Sequence, residues 1–274
     1  MQKNYNVVAG FNIIAPAYDL ANDAMTFGLH RLWRTSLCKL AAKLLPARGS
    51  LLDVATGTGD VILGLLKHRG DCHLVGVDPS EGMLQVARDK FAKKAALHQG
   101  SIDIRSGDAR NLPFPDNSFD VVTISWGIRN VNPFQDGLRE MLRVLKPGGS
   151  LLVLESGKPE LKPIGAAYKY YSKLLPFIGG RISGFMPAYK YYTETVESFP
   201  AGAQFVAELF EVGFIKGQYK TLGGSLCIFT QRRSHIDLFS SIVNLTHFHL
   251  RTAKYKFRSS FPSAWVDPKS LSLH

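Results

Sequence analysis

The stretch LLDVATGTGD, residues 51–60, decides the fold because an apolar run leads directly into a glycine-rich turn. The run predicts a buried strand, and Gly57-Thr58-Gly59 predicts a tight turn into the following helix. Three further segments combine a strand with a polar or glycine-containing end: LVGVDPSEGM at 74–83, SGDARNLPFP at 106–115 and VVTISWGIRNV at 121–131. Parallel strands present such ends at one edge of a sheet, where open α/β sheets bind their ligands.

The glycine turn distinguishes two classes of nucleoside ligand. A dinucleotide site takes a third small residue three positions after the second glycine, and this chain has Ile62 there. S-adenosylmethionine carries no pyrophosphate, so its site does not require that glycine, and we expect it as the cofactor. Asp78, which stands 25 residues after Asp53, could accept hydrogen bonds from the ribose hydroxyls of either ligand. The alternative, that Asp78 only caps the next helix, leaves the paired glycines unexplained.

Strands alternate with helices from residue 50 to residue 155, and two more strands follow near the end of the pattern. This order predicts an α/β fold with a doubly wound, mostly parallel seven-stranded sheet of the class I S-adenosylmethionine-dependent methyltransferase type. The expected parts are N-terminal helices at 1–48, a cofactor-binding domain at 49–234 with a helical lid insertion at 156–200, and a C-terminal extension at 235–274.

Composition limits the class and the setting of the protein. The 274 residues are 45% apolar, which suits one α/β domain with additions. The three cysteines, Cys38, Cys72 and Cys227, form no CxxC pair, so we predict no metal site and a reducing, cytoplasmic setting. The net charge of +11 is concentrated in residues 156–274, which hold 15 Lys/Arg and 7 Asp/Glu. Such a bias is typical of nucleic-acid binding, of contact with an anionic membrane or of solubility alone.

Several longer motifs carry a family resemblance. They are YDLAND at 18–23, FGLHRLW at 27–33, GIRNV at 127–131 and RVLKPGG at 143–149, which runs on to Glu155. Over residues 11–231 the chain resembles the ubiquinone/menaquinone biosynthesis C-methyltransferase family. It departs from the family's pattern at Ala21, Thr26 and Gly157, where the family has Met, Ser and Ser.

The resemblance implies C-methylation of a prenylated quinol, demethylmenaquinol to menaquinol, with S-adenosylmethionine as donor. The alternatives are the benzoquinol precursor of ubiquinone, another small apolar acceptor, and a cofactor-binding protein that has lost catalysis. DNA amino-methyltransferases carry an Asx-Pro-Pro-aromatic turn after the fourth strand, whereas this chain has SWGI at 125–128, so we expect no nucleic-acid partner. A lipophilic quinol, peripheral membrane contact and a homo-oligomer are the partners that remain.

The predicted cofactor site combines the strand ends with the resemblance. The glycine turn, Asp78 and Asp108 follow from the residues themselves, and the resemblance adds Thr58, Ala109 and Ser125. The full predicted set is Asp53, Gly57, Thr58, Gly59, Asp78, Met83, Asp108, Ala109 and Ser125. Asp108 could accept from the adenine amino group, while the Ala109 amide could donate to a ring nitrogen. A loop-capping role is the alternative for Asp108.

The predicted catalytic residues are Arg129 and Asn130 after the fourth strand, with Tyr18 and His30 on the N-terminal segment. Arg129 could stabilise a quinolate or orient a water molecule, since its pKa makes it a poor base. His30 is the one member with an ordinary pKa near neutrality. A structural ion pair is the alternative for Arg129, and ordinary packing or surface exposure is the alternative for His30.

Two segments outside the alternating pattern bear on an apolar substrate. Residues 168–192 contain eight aromatic side chains, which predict a lid over a prenylated acceptor. Packing between helices is the alternative. Residues 236–250 place apolar side chains at helical spacing and are followed by Lys254, Lys256 and Arg258, a pattern typical of a segment that lies on a membrane surface. A loosely ordered extension is the alternative there.

Overall fold

A computed structural model describes residues 6–93, 101–156, 162–200, 202–221 and 225–232. The strands are β1 Ser50–Val54, β2 His73–Asp78, β3 Ser101–Ser106, β4 Phe119–Ser125, β5 Leu145–Ser156, β6 Phe214–Thr221 and β7 Ser225–Arg232. The helices are α1 Val7–Ile14, α2 Tyr18–Thr26, α3 Leu29–Leu44, α4 Asp60–Leu66, α5 Glu81–Ala92, α6 Phe134–Val144, α7 Lys162–Ser183, α8 Met186–Ser198 and α9 Ala203–Val212. The predicted segment at 236–250 lies outside the described residues.

The described strands form one sheet in the order β3-β2-β1-β4-β5-β7-β6. Strands β1 to β5 run parallel, and β7 runs antiparallel to both β5 and β6. The chain winds outward from β1 to β3 and then returns to place β4 on the other side of β1. This reversal puts the ends of β1 and β4 side by side, at the position where doubly wound sheets bind ligands.

Two apolar layers cover the sheet, one on each face. One layer packs α6 and α9 against the sheet through residues such as Leu138 and Phe205, and the other packs α3 and α4 through Leu37 and Leu65. All four side chains are fully buried. The sheet is therefore rigidly held from both sides, which fixes the loops at its carboxyl edge.

A third apolar cluster joins the N-terminal helices to the helices that follow β5. Ile14 and Met25 pack in it with Leu175 of α7 and Tyr189 of α8, and Met83 of α5 contributes from the cofactor-binding half. The aromatic segment predicted as a lid is therefore helical and packs on the N-terminal helices. Within the described ranges, no helix has the length and apolar character needed to cross a membrane.

Candidate active site

A cavity of about 280 Å³ lies at the carboxyl edge of the sheet. Its floor comes from the turns after β1 and β4, including Gly57 and Ser125, and its cover comes from Tyr18 of α2, Tyr171 of α7 and Tyr192 of α8. The N-terminal segment and the aromatic helices thus enclose the strand ends, as expected for a site that must exclude water from a reaction.

The turns that form the floor have strained backbones. Ala55 and Trp126 follow β1 and β4 with φ values of 52° and 53°, a region that side chains other than glycine rarely adopt. A Cβ atom on Gly127 would lie 2.5 Å from the Cβ of Ala55, so the two turns are in direct contact. Gly59 has a φ of 78°, and a Cβ there would meet the ring of Phe91 at 2.7 Å. Strain of this kind is concentrated at ligand sites.

Two buried carboxylates organise the glycine turn. Asp53 accepts hydrogen bonds from the hydroxyls of Thr56 at 2.7 Å and Thr123 at 2.6 Å, and it lines the cavity. Burial raises the pKa of Asp53 to about 7 despite these bonds. Asp78 accepts from the amides of Gly57 at 2.9 Å and Ser80 at 2.8 Å, and burial raises its pKa to about 6. Both carboxylates retain lone pairs for further donors.

Asp78 links the glycine turn to the start of the next helix. Its bond to Gly57 fixes the glycine turn, while its bond to Ser80 supports the start of α5, where the Ser80 hydroxyl accepts from the amide of Met83 at 3.3 Å. The described lining of the cavity does not include Asp78 or Met83. Their part in cofactor binding stays a prediction.

The predicted adenine end of the site lies apart from the cavity. The Asp108 carboxylate is half-exposed and forms an ion pair with Arg110 at 2.6 Å, which holds its pKa below the usual range. Ala109 is buried in the apolar core beside α6. Asp108 also accepts from the Arg110 amide at 2.8 Å, so the loop-capping alternative holds in this structure. Neither residue belongs to the described lining of the cavity.

Arg129 forms a buried ion pair that also faces the cavity. Its guanidinium donates to Glu155, and the two side chains are 6% and 2% exposed. The ring of Tyr192 lies 4.7 Å from the guanidinium carbon, a cation–π contact. Burial opposes the charge on Arg129, but the neighbouring Glu155 carboxylate outweighs it, so the pKa of Arg129 is raised. The structure thus contains the ion pair that was the alternative role for Arg129, and this pair holds the guanidinium in the wall of the site.

Buried polar atoms in this wall supply a test of whether a polar ligand fits. Ser125 Oγ, Arg129 Nε and Glu155 Oε2 are buried and have no hydrogen-bond partner among the described residues. Buried polar groups in folded proteins are nearly always paired. Ser125 and Arg129 line the cavity. A ligand with polar groups at the carboxyl edge, such as S-adenosylmethionine, would satisfy them, so the donor set fits the predicted cofactor.

The other predicted catalytic residues also line the cavity. Burial raises the pKa of Tyr18 to about 12, so its hydroxyl keeps its proton at neutral pH and can act as a donor. Burial and the nearby Arg34 lower the pKa of His30, which favours the neutral form of its imidazole. His30 Nδ1 lies 2.7 Å from the Thr26 hydroxyl. Asn130 stands in the 3₁₀ turn after β4.

An ion-pair network that the sequence did not reveal closes the site from outside. Thr58 donates to Asp19 of α2 at 2.8 Å, and Lys90 of α5 contacts Asp19 at 2.5 Å and Asp60 at 2.7 Å. Arg34 of α3 also contacts Asp60, at 2.9 Å. The predicted cofactor residue Thr58 thus uses its hydroxyl to hold α2 over the glycine turn. No spacing rule connects these positions, because they come from four different elements.

Some residues of the site were missed or mentioned only in passing. Glu155 appeared only as the end of a family motif, although it is the partner of Arg129. Trp126 lies between His30 and Trp33, with ring centroids 6.2 and 6.4 Å away. The only sequence signal for Trp126 was an aromatic residue directly after a predicted strand. Among the described residues, no group of three His, Cys, Asp or Glu side chains is placed to hold a metal ion.

Comparison with known proteins gives two independent findings. Residues 1–232 match the model of the ubiE/COQ5 methyltransferase family. The chain is 42% identical to the demethylmenaquinone methyltransferase of Thermus thermophilus over 205 residues, 74% of this chain and 90% of that one. It is 43% identical to the ubiquinone/menaquinone biosynthesis C-methyltransferase of Geobacter sulfurreducens over 206 residues, 74% of this chain and 78% of that one.

Solved structures agree on the fold. A possible histamine N-methyltransferase from Thermotoga maritima superposes with a TM-score of 0.59 at 20% identity, covering 83% of this chain and all of that one. An S-adenosylmethionine-dependent methyltransferase from Aquifex aeolicus gives 0.53 at 19% identity, covering 73% and 92% of the two chains. These likenesses confirm the predicted class I methyltransferase fold.

Proposed function

The chain belongs to the ubiE/COQ5 methyltransferase family and is an S-adenosylmethionine-dependent methyltransferase, and from this premise we propose that it methylates a ring carbon of a prenylated quinol. The preferred acceptor is demethylmenaquinol, because the Thermus thermophilus relative is named for that reaction. The benzoquinol precursor of ubiquinone is the alternative, since other relatives are named for both pathways.

Cofactor binding is proposed at the edge formed by β1, β2 and β4. The bound cofactor would supply an electrophilic methyl group. Gly57 allows close approach of a ligand, because a Cβ there would meet no protein atom within 4 Å, and Gly59 shapes the turn by letting it pack on the ring of Phe91. The retained lone pairs of Asp53 and Asp78 can accept from the donors of a nucleoside or an amino acid. Asp108, Ala109, Met83 and Ser125 complete the proposed set.

The observation that carries the proposed chemistry is the fixed guanidinium of Arg129 in an aromatic cavity. A ring carbon becomes nucleophilic when the adjacent hydroxyl ionises, and the Arg129 charge would lower the pKa of that hydroxyl and stabilise the quinolate. The His30 imidazole is the proposed proton acceptor, whereas Tyr18 retains its own proton at neutral pH and so cannot serve as the base. Asn130, beside Arg129, would orient the acceptor ring.

Two features are proposed to adapt the site to a lipophilic acceptor. Helices α7 and α8 contribute Tyr171, Tyr189, Tyr191 and Tyr192 to the cavity lining and would serve as its lid. Peripheral contact with the inner face of the membrane would bring the enzyme to its acceptor. Such an enzyme would be cytoplasmic.

Methyl transfer from labelled S-adenosylmethionine to two reduced acceptors in parallel tests the proposal. Product from demethylmenaquinol is expected to exceed product from the benzoquinol precursor. The reverse ratio would favour the ubiquinone pathway. An enzyme that binds the cofactor but methylates neither acceptor would contradict quinol methylation.

The role of Arg129 is tested with two variants. Arg129→Ala should retain cofactor binding and lose turnover by about tenfold or more, because the charge that stabilises the quinolate is gone. Arg129→Lys keeps a charge beside Glu155 and serves as the control for folding, with turnover between those of the parent and the alanine variant. Unchanged turnover in Arg129→Ala would remove Arg129 from the mechanism.

A further inference from the structure

Exposed apolar side chains are concentrated on one part of the protein. Of the nine large apolar side chains that are exposed among the described residues, eight belong to residues 7–44 or to α7. These eight, which we call the apolar rim, are Ile13, Leu20, Phe27, Leu29, Leu32, Tyr170, Leu174 and Phe177. The ninth, Phe210, lies on α9. An exposed apolar concentration of this kind marks a surface that meets a partner.

The apolar rim reaches the mouth of the cavity through two of its members. Phe27 is 81% exposed and Leu29 is 46% exposed, yet both line the cavity, so they stand where it opens to the outside. Phe27 stacks on Tyr171 of α7 with ring centroids 6.1 Å apart, and the Tyr171 hydroxyl donates to the Met25 carbonyl. The N-terminal helices and α7 therefore meet at the mouth.

The spacing of the rim residues gives α7 and α3 an exposed apolar stripe each. Tyr170, Leu174 and Phe177 are four and three residues apart, so they share a face of α7. On α3, Leu32 shares a face with Lys39 and Lys43, which are seven and eleven residues further on and are exposed. The apolar stripe of α3 thus continues into a basic one. This combination is typical of helices that lie on a lipid surface.

The same helices are rich in basic residues. The sequences of α3 and α7 together contain eight Lys/Arg and no Asp/Glu, and two of the four on α3, Arg31 and Arg34, pair with Asp23 and Asp60. The two acids of α1 and α2, Asp19 and Asp23, are paired with Lys90 and Arg31. A second cavity of about 610 Å³, lined by five Lys/Arg and two Asp side chains, shares Arg34 and other residues with the first cavity and so lies beside it. The helices at the mouth therefore combine exposed apolar side chains with exposed basic ones such as Lys39, Lys43 and Lys173.

We propose that the apolar rim docks on an anionic lipid bilayer, so that the mouth of the cavity opens toward the membrane interior. The inference rests on the proposed function for one point only, that the acceptor reaching the mouth is a lipid. A second copy of this chain is a poorer occupant, because two such faces would bring their excess of Lys and Arg together. An anionic bilayer complements the charge and accepts the apolar side chains.

Vesicle binding of the full chain tests the docking surface. The probes are vesicles of phosphatidylcholine alone and vesicles that also contain phosphatidylglycerol, with binding measured by sedimentation. The parent should bind the anionic vesicles more tightly. The triple variant Leu20→Gln/Leu174→Gln/Phe177→Gln should bind them at least about tenfold more weakly, because three side chains no longer enter the bilayer. Phe210→Gln is the matched control and should bind as the parent does.

A second variant separates charge from apolar contact and guards against misfolding of the first. Lys39→Gln/Lys43→Gln should weaken binding to anionic vesicles and reduce its salt dependence, while weak binding to neutral vesicles stays the same. Vesicle binding that is unchanged in both variants would overturn the proposal. So would a parent dimer that the triple variant dissociates, without any vesicle binding, because the rim would then join two copies.

A water-soluble, short-chain quinol distinguishes this inference from the proposed function. The three glutamine positions of the triple variant are not part of the cavity lining. Methylation of the soluble quinol should therefore be equal in the parent and the triple variant, while methylation of a long-chain quinol in anionic vesicles falls with vesicle binding. Failure of both variants and the parent to methylate any quinol would refute the function and leave the vesicle result standing.

Discussion

Substituting Glu155 by glutamine removes one charge from the buried pair at the site and almost nothing else. Glu155 Oε1 accepts from the Arg129 guanidinium and, at 2.7 Å, from the Ser156 amide, while Oε2 has no partner among the described residues. A glutamine can keep its oxygen at the first position and place its amide nitrogen at the second. Glu155→Gln therefore isolates the electrostatic part of the interaction.

The expected cost follows from the burial of both partners. Breaking a buried ion pair by removing one charge costs about 3–5 kcal/mol, because the remaining charge is left uncompensated. Glu155→Gln keeps its hydrogen bonds, and the ring of Tyr192 still lies 4.7 Å from the guanidinium carbon. The cost of this variant should therefore fall at the lower end of that energy range. We expect a loss of about 3 kcal/mol in the free energy of unfolding. For a chain of this size that corresponds to a fall of roughly 6–12 °C in the thermal midpoint.

The assay is thermal and urea unfolding of the ligand-free protein, with Glu81→Gln as the matched control. Glu81 also pairs with an arginine, Arg88, but both side chains are exposed. The control should lose less than about 1 kcal/mol, since exposed pairs contribute little. If Glu155→Gln were as stable as the control, water or local relaxation would have to compensate the unpaired charge of Arg129, and burial would not set the cost of breaking this pair.

Two further predictions concern the turns and carboxylates of the floor. Because burial raises the pKa of Asp53 to about 7, the folded state keeps a proton that the unfolded state loses above about pH 4. Asp53 thus lowers the free energy of unfolding progressively as the pH rises from about 4 to about 7. The variant Asp53→Asn should therefore gain stability relative to the parent over that range, as measured by urea unfolding at several pH values. A difference that does not change with pH would contradict the raised pKa. Gly127→Ala should cost about 1–3 kcal/mol, because its new Cβ would lie 2.5 Å from that of Ala55. Adding Ala55→Gly should restore most of that stability in the same assay, and an equally unstable double variant would show that the clash is not the cause.

The ends of the strands were predictable because each is encoded within a few consecutive residues. An apolar run that stops at a glycine or an acid predicts both a strand and its polar end, and β1, β2 and β4 end close to the predicted positions. The proximity of these ends also followed, since parallel strands share an edge. The local sequence did not predict the hydrogen-bond partner of each polar group. Asp78 illustrates this, because its bond to Gly57 depends on how β1 and β2 lie in the sheet.

The contacts between distant elements were not predictable for a related reason. Lys90 and Asp19 are 71 positions apart, and their pairing depends on the exact placement of α2 against α5. Arg129 had two readings in the sequence, an ion-pair partner or a residue of the site. The structure shows that they are compatible, because Glu155 holds the guanidinium in the cavity wall.

The N-terminal helices connect the cofactor side of the site to the outer surface. Asn12 of α1 accepts from the Ser80 hydroxyl and the Gly82 amide, both at 2.8 Å, and so covers the N-terminus of α5. Asp19 of α2 accepts from Thr58 in the glycine turn. The same segment carries five members of the apolar rim on its outer side. Because one segment contacts the glycine turn on one side and presents apolar side chains on the other, a partner that bound the rim would contact the helices that cover the site. Contact with a bilayer and closure over the cofactor would therefore be energetically linked, since any partner that binds one arrangement of the segment more tightly stabilises that arrangement.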